Sequence, residues 1–331
     1  MRGRGFEEDL RTNGKRGGHD QTRPGHGHET DRRTVGVWEV NAAVNPYYAR
    51  VLGEASASAL KEFRISPLQY LDWCNDGGKD ETPAMHEGTA FHMALHEPER
   101  FACQYVEIPN MPLRSKSDRE AFLNCIHDTT GVAIADPGCK SDDLRLFVNV
   151  EVAKTGAYLL THESLTTLRG MVESLNRPCH KLPRSVAAQG VKELELRWID
   201  PDSGISCKAR IDSWEEESGL LSDLKRTDSI SMWAFKRAVY QYEYHYQNAF
   251  YRRAIRAAGG DVKYSCFVCG CPKPRVYPWA IYDIPVEVLD ECDERISMDL
   301  LCLAECLATN NWPTVNNGEP VTLPMTTGHD R

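Results

Sequence analysis

The stretch VKELELRWIDPDSGISCKARIDSWEEESGLLSDLKRT, residues 191–227, decides the fold because it predicts three consecutive antiparallel strands. Charged and apolar residues alternate through residues 193–199 and again through 205–214, which is the period of a half-buried strand. Residues 201–204 and 216–219 are turn sequences, and the first has proline and glycine where a tight turn needs them. Residues 220–227 are predicted to form the third strand.

The lengths of the two turns predict the register of these strands. If residues 201–204 form the first loop, counting outward along both strands places Glu193 opposite Asp212. If residues 216–219 form the second loop, Asp212 lies opposite Asp223. Side chains directly opposite each other across strands are about 5 Å apart. The three carboxylates are therefore predicted to form one row across the sheet.

The two faces of this predicted sheet differ in character. Strand side chains alternate with period two, so the next row on the carboxylate face holds Glu195, Arg210 and Lys225. The opposite face is apolar and is predicted to be a core surface, formed by Leu194, Leu196, Trp198, Ala209, Ile211 and Leu224. A slip of one residue would bury the carboxylates, which favours this register.

Three clustered carboxylates imply either a raised pKa or a bound divalent cation. Oxygen ligands suit Mg²⁺ or Mn²⁺, which complete their coordination with water and phosphate. Lys225 is predicted to point into the same site, where it could position or deprotonate an attacking water and offset phosphate charge. The pattern alone is equally compatible with a solvated face on which Arg210 and Lys225 are counter-ions.

These residues resemble the PD-(D/E)XK nuclease signature. Asp212 on one strand and Asp223-Leu-Lys225 on the next match it, although isoleucine precedes Asp212 where the signature has proline. Gln247 and Tyr251 on the following helix resemble the Gln-x-x-x-Tyr motif of the RecB-type branch. The resemblance implies an α/β fold with a restriction-endonuclease-like core, in which helices flank a central mixed β-sheet.

Upstream segments resemble the exonuclease VIII (RecE-type) family. Residues 88–92 (GTAFH) and 97–101 (EPERF) match its histidine-bearing helix, and residues 58–63 with Ser66-Pro67 resemble its N-terminal segment. The resemblance implies a Mg²⁺-dependent exodeoxyribonuclease that degrades linear duplex DNA from its ends, 5′ to 3′. It also implies a single-strand annealing protein as partner and a ring-shaped homo-oligomer.

The resemblance also implies the roles of individual residues. Asp212 and Asp223 would be the central metal ligands, His92 would complete the shell, and Glu193 would be an additional acidic member. Lys225 would serve the nucleophilic water. Gln247 and Tyr251 would brace the site or contact the substrate. Because His92 is an unusual partner for Mg²⁺, Mn²⁺ would also be competent. The neighbouring His86 and His96 are predicted to be structural.

Composition sets broader bounds. The 331 residues carry a net charge of −9, which argues against nonspecific coating of nucleic acid. The chain shows neither a secretory signal nor an apolar run of membrane-spanning length, so a cytoplasmic protein without membrane contact is expected. Twelve cysteines then favour free thiols. Residues 1–36 form a Gly-, Arg- and His-rich tail, predicted to be disordered, before a single nuclease domain over 37–331 with an N-terminal helical segment.

Helices are predicted over residues 58–73 with a break at Ser66-Pro67, over 88–95, over 285–308, and from a cap at Ser229 through one long helix. Residues 104–160 carry only a weak pattern. Arg252, Arg253 and Arg256 on the long helix could contact DNA phosphates or form a solvated helix end.

Two alternative functions remain open from the sequence. One is another enzyme of the same fold, either a structure-specific endonuclease or an iron–sulphur nuclease acting on single strands. Cys266, Cys269 and Cys271 would suit an iron–sulphur cluster if Cys292, Cys302 or Cys306 supplied the fourth thiolate that such a cluster needs. Against this, Cys266 and Cys269 lie within a strand predicted over residues 262–270, and the three candidate fourth ligands lie on the predicted helix over 285–308. The other alternative is a non-catalytic DNA-binding recombination scaffold, against which the intact Asp212, Asp223 and Lys225 set argues.

Overall fold

The computed structural model describes residues 49–75, 82–108, 110–111 and 113–320. Contacts divide the chain into two units, Met1–Ala42 and Ala43–Arg331, and every described residue belongs to the second unit. The tail predicted over residues 1–36 lies outside the described residues. Within the described part, no helix has the combination of length and apolar composition needed to cross a bilayer.

The described elements alternate between helices and strands. In chain order they are β1 (Glu54–Ala55), α1 (Ala57–Ile65), α2 (Pro67–Asn75), α3 (Pro83–His96), α4 (Pro98–Gln104), β2 (Tyr105–Ile108), α5 (Lys116–Thr130), α6 (Ser141–Ala153), β3 (Tyr158–Thr161), α7 (His162–Ser174), α8 (Lys181–Ala188), β4 (Val191–Ile199), β5 (Ser206–Glu215), β6 (Leu220–Arg226), α9 (Met232–Gln241), α10 (Tyr244–Ala257), β7 (Tyr264–Gly270), β8 (Trp279–Asp283) and α11 (Val286–Thr309). The break predicted at Ser66-Pro67 separates α1 from α2, and the helix predicted over residues 285–308 corresponds to α11.

The main sheet has six strands and is mixed. Its order is β1-β5-β6-β7-β8, and β4 pairs with β5 as well. The pairs β1–β5 and β6–β7 are parallel, whereas β4–β5, β5–β6 and β7–β8 are antiparallel. β4 runs along one edge of β5, so β1 at the start of β5 and β6 at its end share the other edge.

The predicted register is confirmed for the regular part of the three strands. Leu194 lies opposite Ile211, Glu195 lies opposite Arg210, and Glu215 lies opposite Leu220. Each turn has the predicted length, because the proline and glycine positions define where the strands reverse.

The predicted row of three carboxylates is not formed by backbone pairing: the β4–β5 ladder omits Glu193 and Asp212, and no pairing continues the row between β5 and β6. Their ladder ends at Ser213 and Ser222, one position before Asp212 and Asp223. The N–H of Leu224 instead donates to the Oδ2 of Asp212 over 2.8 Å. A side-chain carboxylate thus replaces a ladder hydrogen bond, and the two strands fork where the carboxylates meet.

Helices cover both faces of the sheet. α10 packs against β4 and β5, and α11 packs on α10. On β7, Cys269 belongs to this core, while its neighbour Gly270 faces Phe91 of α3 and Met171 of α7. Because successive strand residues point to opposite faces, α3 and α7 lie on the face opposite α10. The expected α/β architecture is confirmed.

Residues 105–161 build a second, smaller core. β2 and β3 pair in parallel, and α5 and α6 pack beside them. Phe122 and Ile126 of α5 and Leu144 and Val148 of α6 are almost completely buried there. This layer meets the main body at α3, where the Nε2 of His86 lies 2.9 Å from the carbonyl oxygen of Leu159. The weak sequence pattern gave no indication of it.

The prediction of one long helix capped by Ser229 is wrong in two respects. Ser231 is the cap, and its hydroxyl accepts the N–H of Ala234. The helix is also broken before α10, because Glu243 adopts a left-handed backbone with φ 56°. The break turns α10 onto the sheet and leaves the end of α9 exposed.

Two of the three arginines in α10 pair with acidic residues of other elements, whereas the third, Arg256, is exposed. Arg252 is 1% exposed and its Nη2 lies 2.7 Å from Asp290 of α11. Arg253 bonds to Asp293 over 2.8 Å and to Asp200 over 2.9 Å. Their charges hold α11 on α10, so these two arginines are neither a solvated helix end nor an open phosphate-binding surface.

Candidate functional site

Asp212 and Asp223 meet at the fork between β5 and β6. Asp223 is completely buried, and the Asp212 carboxyl is its neighbour. Burial, reinforced by the charge of Asp212, raises the pKa of Asp223 to about 7, although Lys225 acts in the opposite direction. Among the described residues the Oδ1 of Asp223 has no hydrogen-bond partner. A buried carboxylate oxygen without a partner is costly unless a cation or a proton occupies the site.

Lys225 is held against Asp223 from the same strand. Its Nζ lies 2.7 Å from the Oδ2 of Asp223 and 4.5 Å from the ring centroid of Tyr244. Burial alone would lower the pKa of Lys225, but the charges of Asp223 and Asp212 outweigh it and raise the pKa. The ammonium is therefore kept charged at the point where the two carboxylates meet.

Gln247 and Tyr251, one turn apart on α10, connect to Lys225. The Nζ of Lys225 donates to the Oε1 of Gln247 over 3.1 Å, and the Nε2 of Gln247 donates to the hydroxyl of Tyr251 over 2.6 Å. Asn248, on the same helix, donates to the Oδ2 of Asp223 over 3.3 Å. The Gln-x-x-x-Tyr pair thus orients the lysine. Asn248 was not singled out from the sequence.

His92 of α3 faces the carboxylates from the other side. Its Nδ1 lies 3.6 Å from Asp212 Oδ2 and 3.8 Å from Glu193 Oε1. Burial disfavours a charged imidazole, but these two carboxylates outweigh it and raise the pKa of His92. The ring keeps 26% of its side-chain surface exposed, so solvent and ligands reach the site from this side.

Glu193 is bound by two further side chains. The Nδ1 of His96 lies 3.0 Å from its Oε1, and the Nε of Arg210 lies 2.9 Å from its Oε2. Burial alone would raise the pKa of Glu193, but His92, His96 and Arg210 hold it below its usual range. The backbone of Glu193 is left-handed, with φ 51°. A glutamate in this conformation is strained, and such strain clusters at functional sites.

All seven predicted site residues are thus gathered in one connected cluster: His92, Glu193, Asp212, Asp223, Lys225, Gln247 and Tyr251. His96, which the sequence analysis treated as structural, belongs to it as well. The signal was available, because His92 and His96 are four residues apart and therefore share a helix face.

The cluster fits a divalent cation. Nitrogen and oxygen atoms of His92, His96 and Glu193 lie within 4.8 Å of one another, and no other such group occurs among the described residues. Beside them are the Asp212 carboxylate and the unpartnered oxygen of Asp223. Carboxylate oxygens suit Mg²⁺ and Mn²⁺, and imidazole nitrogens shift the preference toward Mn²⁺ and later transition metals.

The cysteines do not form a comparable group. Cys266, Cys269 and Cys271 are buried in and just after β7, and burial raises the pKa of each thiol. All twelve cysteines are free thiols. In the described ranges, no three cysteines come close enough to share a metal, which counts against the iron–sulphur alternative.

Comparisons with known proteins identify the family and the fold. Residues 56–319 match the model of a family described as a PDDEXK-like domain of unknown function (DUF3799). A crystal structure of a protein from Eubacterium rectale, named "Putative exonuclease", aligns with a TM-score of 0.51 and 13% identity, covering 88% of this chain and 97% of that one. At this identity the likeness shows the fold alone. No curated protein matches the sequence. The family match spans most of the chain, and the chain belongs to the PDDEXK-like family DUF3799.

Proposed function

We propose that the protein is a divalent-metal-dependent exodeoxyribonuclease that hydrolyses phosphodiester bonds of linear duplex DNA. One observation carries the proposal: Asp212 and Asp223 converge at the strand fork, with a carboxylate oxygen left unpartnered and Lys225 beside it. A fixed ammonium next to an acidic cation site is suited to an anionic substrate whose charge increases during attack.

The residues that would hold the cation are Asp212, Asp223 and His92, with Glu193 as an additional ligand. When bound, the cation supplies Lewis-acid stabilisation of the phosphate and lowers the pKa of a coordinated water. Lys225 stays protonated because its pKa is raised. It therefore acts as a hydrogen-bond donor to a phosphate oxygen or the water, rather than as the base that removes the proton.

Gln247 and Tyr251 have a positioning role. Their hydrogen bonds restrict the Nζ of Lys225 to one side of Asp223. A charged donor that is already oriented needs no reorganisation when charge develops on the substrate. These residues thereby favour hydrolysis without touching the reacting atoms.

Several finer features rest on the resemblance to exonuclease VIII-type nucleases. We propose that degradation starts at duplex ends and proceeds 5′ to 3′, leaving a single strand for a recombination annealing protein. A ring-shaped homo-oligomer that encloses DNA belongs to the same proposal. Sedimentation velocity tests the ring, and co-precipitation with a candidate annealing protein tests the partner.

The activity is tested with linear, nicked and covalently closed circular duplex DNA in Mg²⁺ and, separately, Mn²⁺. We expect linear DNA to be consumed and closed circles to survive. Asp223→Ala and Lys225→Ala should remove the activity while circular dichroism stays unchanged. Met298→Ala is the matched control, because Met298 is 58% exposed on α11. Digestion of closed circles would reject the exonuclease assignment.

Direction is tested with phosphorothioate-blocked ends. Blocking both 5′ ends should protect linear DNA, and blocking both 3′ ends should leave degradation unchanged. The reverse pattern contradicts 5′ to 3′ polarity without affecting the nuclease assignment. Protection by neither block would indicate cleavage within the duplex.

A further inference from the structure

One face of α9 is unusual for a solvent-exposed helix surface. Trp233 is 76% exposed and Tyr240 is 57% exposed, and the charged side chains of Lys236 and Arg237 are exposed between them. These four residues, called here the α9 outer face, have the i, i+3, i+4, i+7 spacing that places them on one side of a helix. An exposed tryptophan and tyrosine in one row are an exception to the ordinary burial of large aromatic residues.

Among the residues that the structure describes, the two cations of the α9 outer face have no acidic partner. Neither Lys236 nor Arg237 forms an ion pair with any described residue, and residues 229–242 contain no aspartate or glutamate. The Nζ of Lys236 lies 6.0 Å from the ring centroids of both Trp233 and Tyr240. In a chain of net charge −9, this is a local positive surface with aromatic rings on either side.

The inner side of α9 connects this surface to the metal site. Phe235 is buried, and its ring centroid lies 6.5 Å from that of Tyr244. The Tyr244 ring in turn lies 4.5 Å from the Nζ of Lys225. Two side-chain rings therefore separate the backbone of α9 from the site lysine. The α9 outer face thus belongs to the helix that packs beside the site lysine.

The exposed rings and cations of the α9 outer face favour single-stranded nucleic acid over a duplex. Trp233 and Tyr240 are seven residues apart, or about 10 Å along the helix axis, which spans about three stacked nucleotides at 3.4 Å each. Unpaired bases stack on exposed rings while phosphates meet the cations, and this combination is typical of single-strand binding. A duplex offers its phosphates to such a face but keeps its bases stacked within the helix.

A second copy of the chain fits this face less well. In a two-fold symmetric contact the same residues meet from both sides, so Lys236 and Arg237 would approach their own copies, and residues 229–242 supply no acidic side chain to offset them. Like charges across an interface disfavour association. The unpaired cations thus favour a polyanion over self-association.

We propose that the α9 outer face is a binding site for single-stranded nucleic acid, in which bases stack on Trp233 and Tyr240 and phosphates pair with Lys236 and Arg237. Its use during DNA degradation rests on the proposed nuclease function, where it would hold a single strand beside the metal site. The binding itself does not depend on hydrolysis.

The test measures binding of a fluorescein-labelled 20-nucleotide oligothymidylate by anisotropy in EDTA, using full-length protein carrying Asp223→Ala. Trp233→Ala with Tyr240→Ala should raise the Kd roughly tenfold or more, because each stacked base contributes substantially to single-strand binding. Quenching of tryptophan emission by the oligonucleotide should also decrease. Met298→Ala, an exposed apolar substitution on α11, should leave the Kd unchanged.

The cations are tested by salt dependence. Lys236→Gln with Arg237→Gln should reduce the slope of log K against log salt by about 1.4, since each phosphate contact on a single strand contributes about 0.7. Lys116→Gln with Lys263→Gln is the matched control. Both control residues are exposed. The backbone N–H of Lys263 donates to the carbonyl oxygen of Gly219, which directly precedes β6, so Lys263 lies at the end of β6 that is remote from Lys225.

Specific outcomes would overturn the proposal. It fails if both double variants bind the oligonucleotide as tightly as the protein that carries Asp223→Ala alone. It also fails if removal of the two rings weakens binding of a blunt 20-base-pair duplex as strongly as binding of the single strand. A change in sedimentation coefficient with unchanged oligonucleotide binding would show a self-association surface instead. Because binding is measured without hydrolysis, these results are independent of whether the protein proves to be a nuclease.

Discussion

The candidate metal site has two sides that are built differently. On the lysine side, Lys225 and Asp223 are buried and tied by hydrogen bonds to Gln247 and Asn248 of α10. On the histidine side, His92 remains partly exposed on α3 and contacts carboxylates at 3.6 and 3.8 Å. The lysine side is preorganised, whereas the histidine side still has room for a ligand. Under the proposed nuclease function, the lysine side would serve the reaction and the histidine side would serve cation binding and selectivity.

The lysine side is tested by Lys225→Met. We expect the single-turnover rate of DNA hydrolysis to fall by about 10²–10⁴, because an oriented charged donor is lost. Mn²⁺ affinity in calorimetry should be retained, since lysine is not a ligand. Lys263→Met, which removes an exposed cation, is the control. A tenfold or smaller loss of rate would contradict the assigned role.

The histidine side is tested by His92→Ala. Loss of the imidazole should weaken Mn²⁺ binding by roughly 10- to 100-fold or more. Removal of an outer-shell partner already costs that much, and His92 is proposed to be a direct ligand. Hydrolysis should recover when the metal concentration is raised, unlike that of Lys225→Met. Unchanged metal affinity would show that His92 is not a ligand. It would also contradict the assignment of cation binding to the histidine side.

One group on each side, Asp223 and His92, leads to the same prediction, which is that metal binding weakens as the pH falls. The pKa of Asp223 is raised to about 7 and that of His92 is also raised, so each group holds a proton below its raised pKa. A ligand must lose this proton to bind metal. Affinity should therefore fall by about tenfold per pH unit, or more, as pH decreases below 7. Calorimetry in buffers of different ionisation enthalpy counts the protons released. No release at pH 6 would contradict this.

His96→Gln is expected to change selectivity more than affinity. The substitution removes the imidazole next to Glu193, and outer-shell losses cost about tenfold at their lower end. If the His96 nitrogen becomes a ligand, as its grouping with His92 and Glu193 allows, Mn²⁺ affinity should decrease more than Mg²⁺ affinity, because nitrogen donors suit Mn²⁺ better. His127→Gln on α5 is the control, as His127 is exposed and distant in sequence. An equal decrease for both metals would show a structural role alone.

Tyr251→Phe should have the smallest effect. It removes the hydroxyl that accepts from Gln247 over 2.6 Å, and a single hydrogen bond contributes about 1 kcal/mol, or about fivefold in rate. The loss should be in the hydrolysis rate and not in Mn²⁺ affinity. A loss as large as that of Lys225→Met would make Tyr251 a direct participant.

The part of this site that lies on the three consecutive strands could be predicted from the sequence. The turns at 201–204 and 216–219 define the register up to the positions of Glu193, Asp212 and Asp223, although the ladders themselves omit pairs between these three residues. Local spacing is enough for this step. It was not enough for the fork, because the bond from Leu224 to Asp212 depends on a side chain rather than on the strand period.

Contacts between distant segments were not predictable from spacing. Arg252 and Arg253 find their acidic partners 38 and 40 residues away on α11, and no local pattern encodes that pairing. The break at Glu243 occurs without glycine or proline, so tertiary packing sets it. The small core of residues 105–161 uses helices whose apolar positions are too interrupted by charge to stand out.

The bond from Leu224 to Asp212 has a consequence for observing the molecule. A backbone amide proton at the centre of the sheet is protected from solvent exchange by a carboxylate and not by a neighbouring strand. Any ion that draws the carboxylate away releases that proton. The exchange rate of the Leu224 amide proton should therefore report occupancy of the site. It can be followed by hydrogen–deuterium exchange, without a dye, a substrate or a mutation.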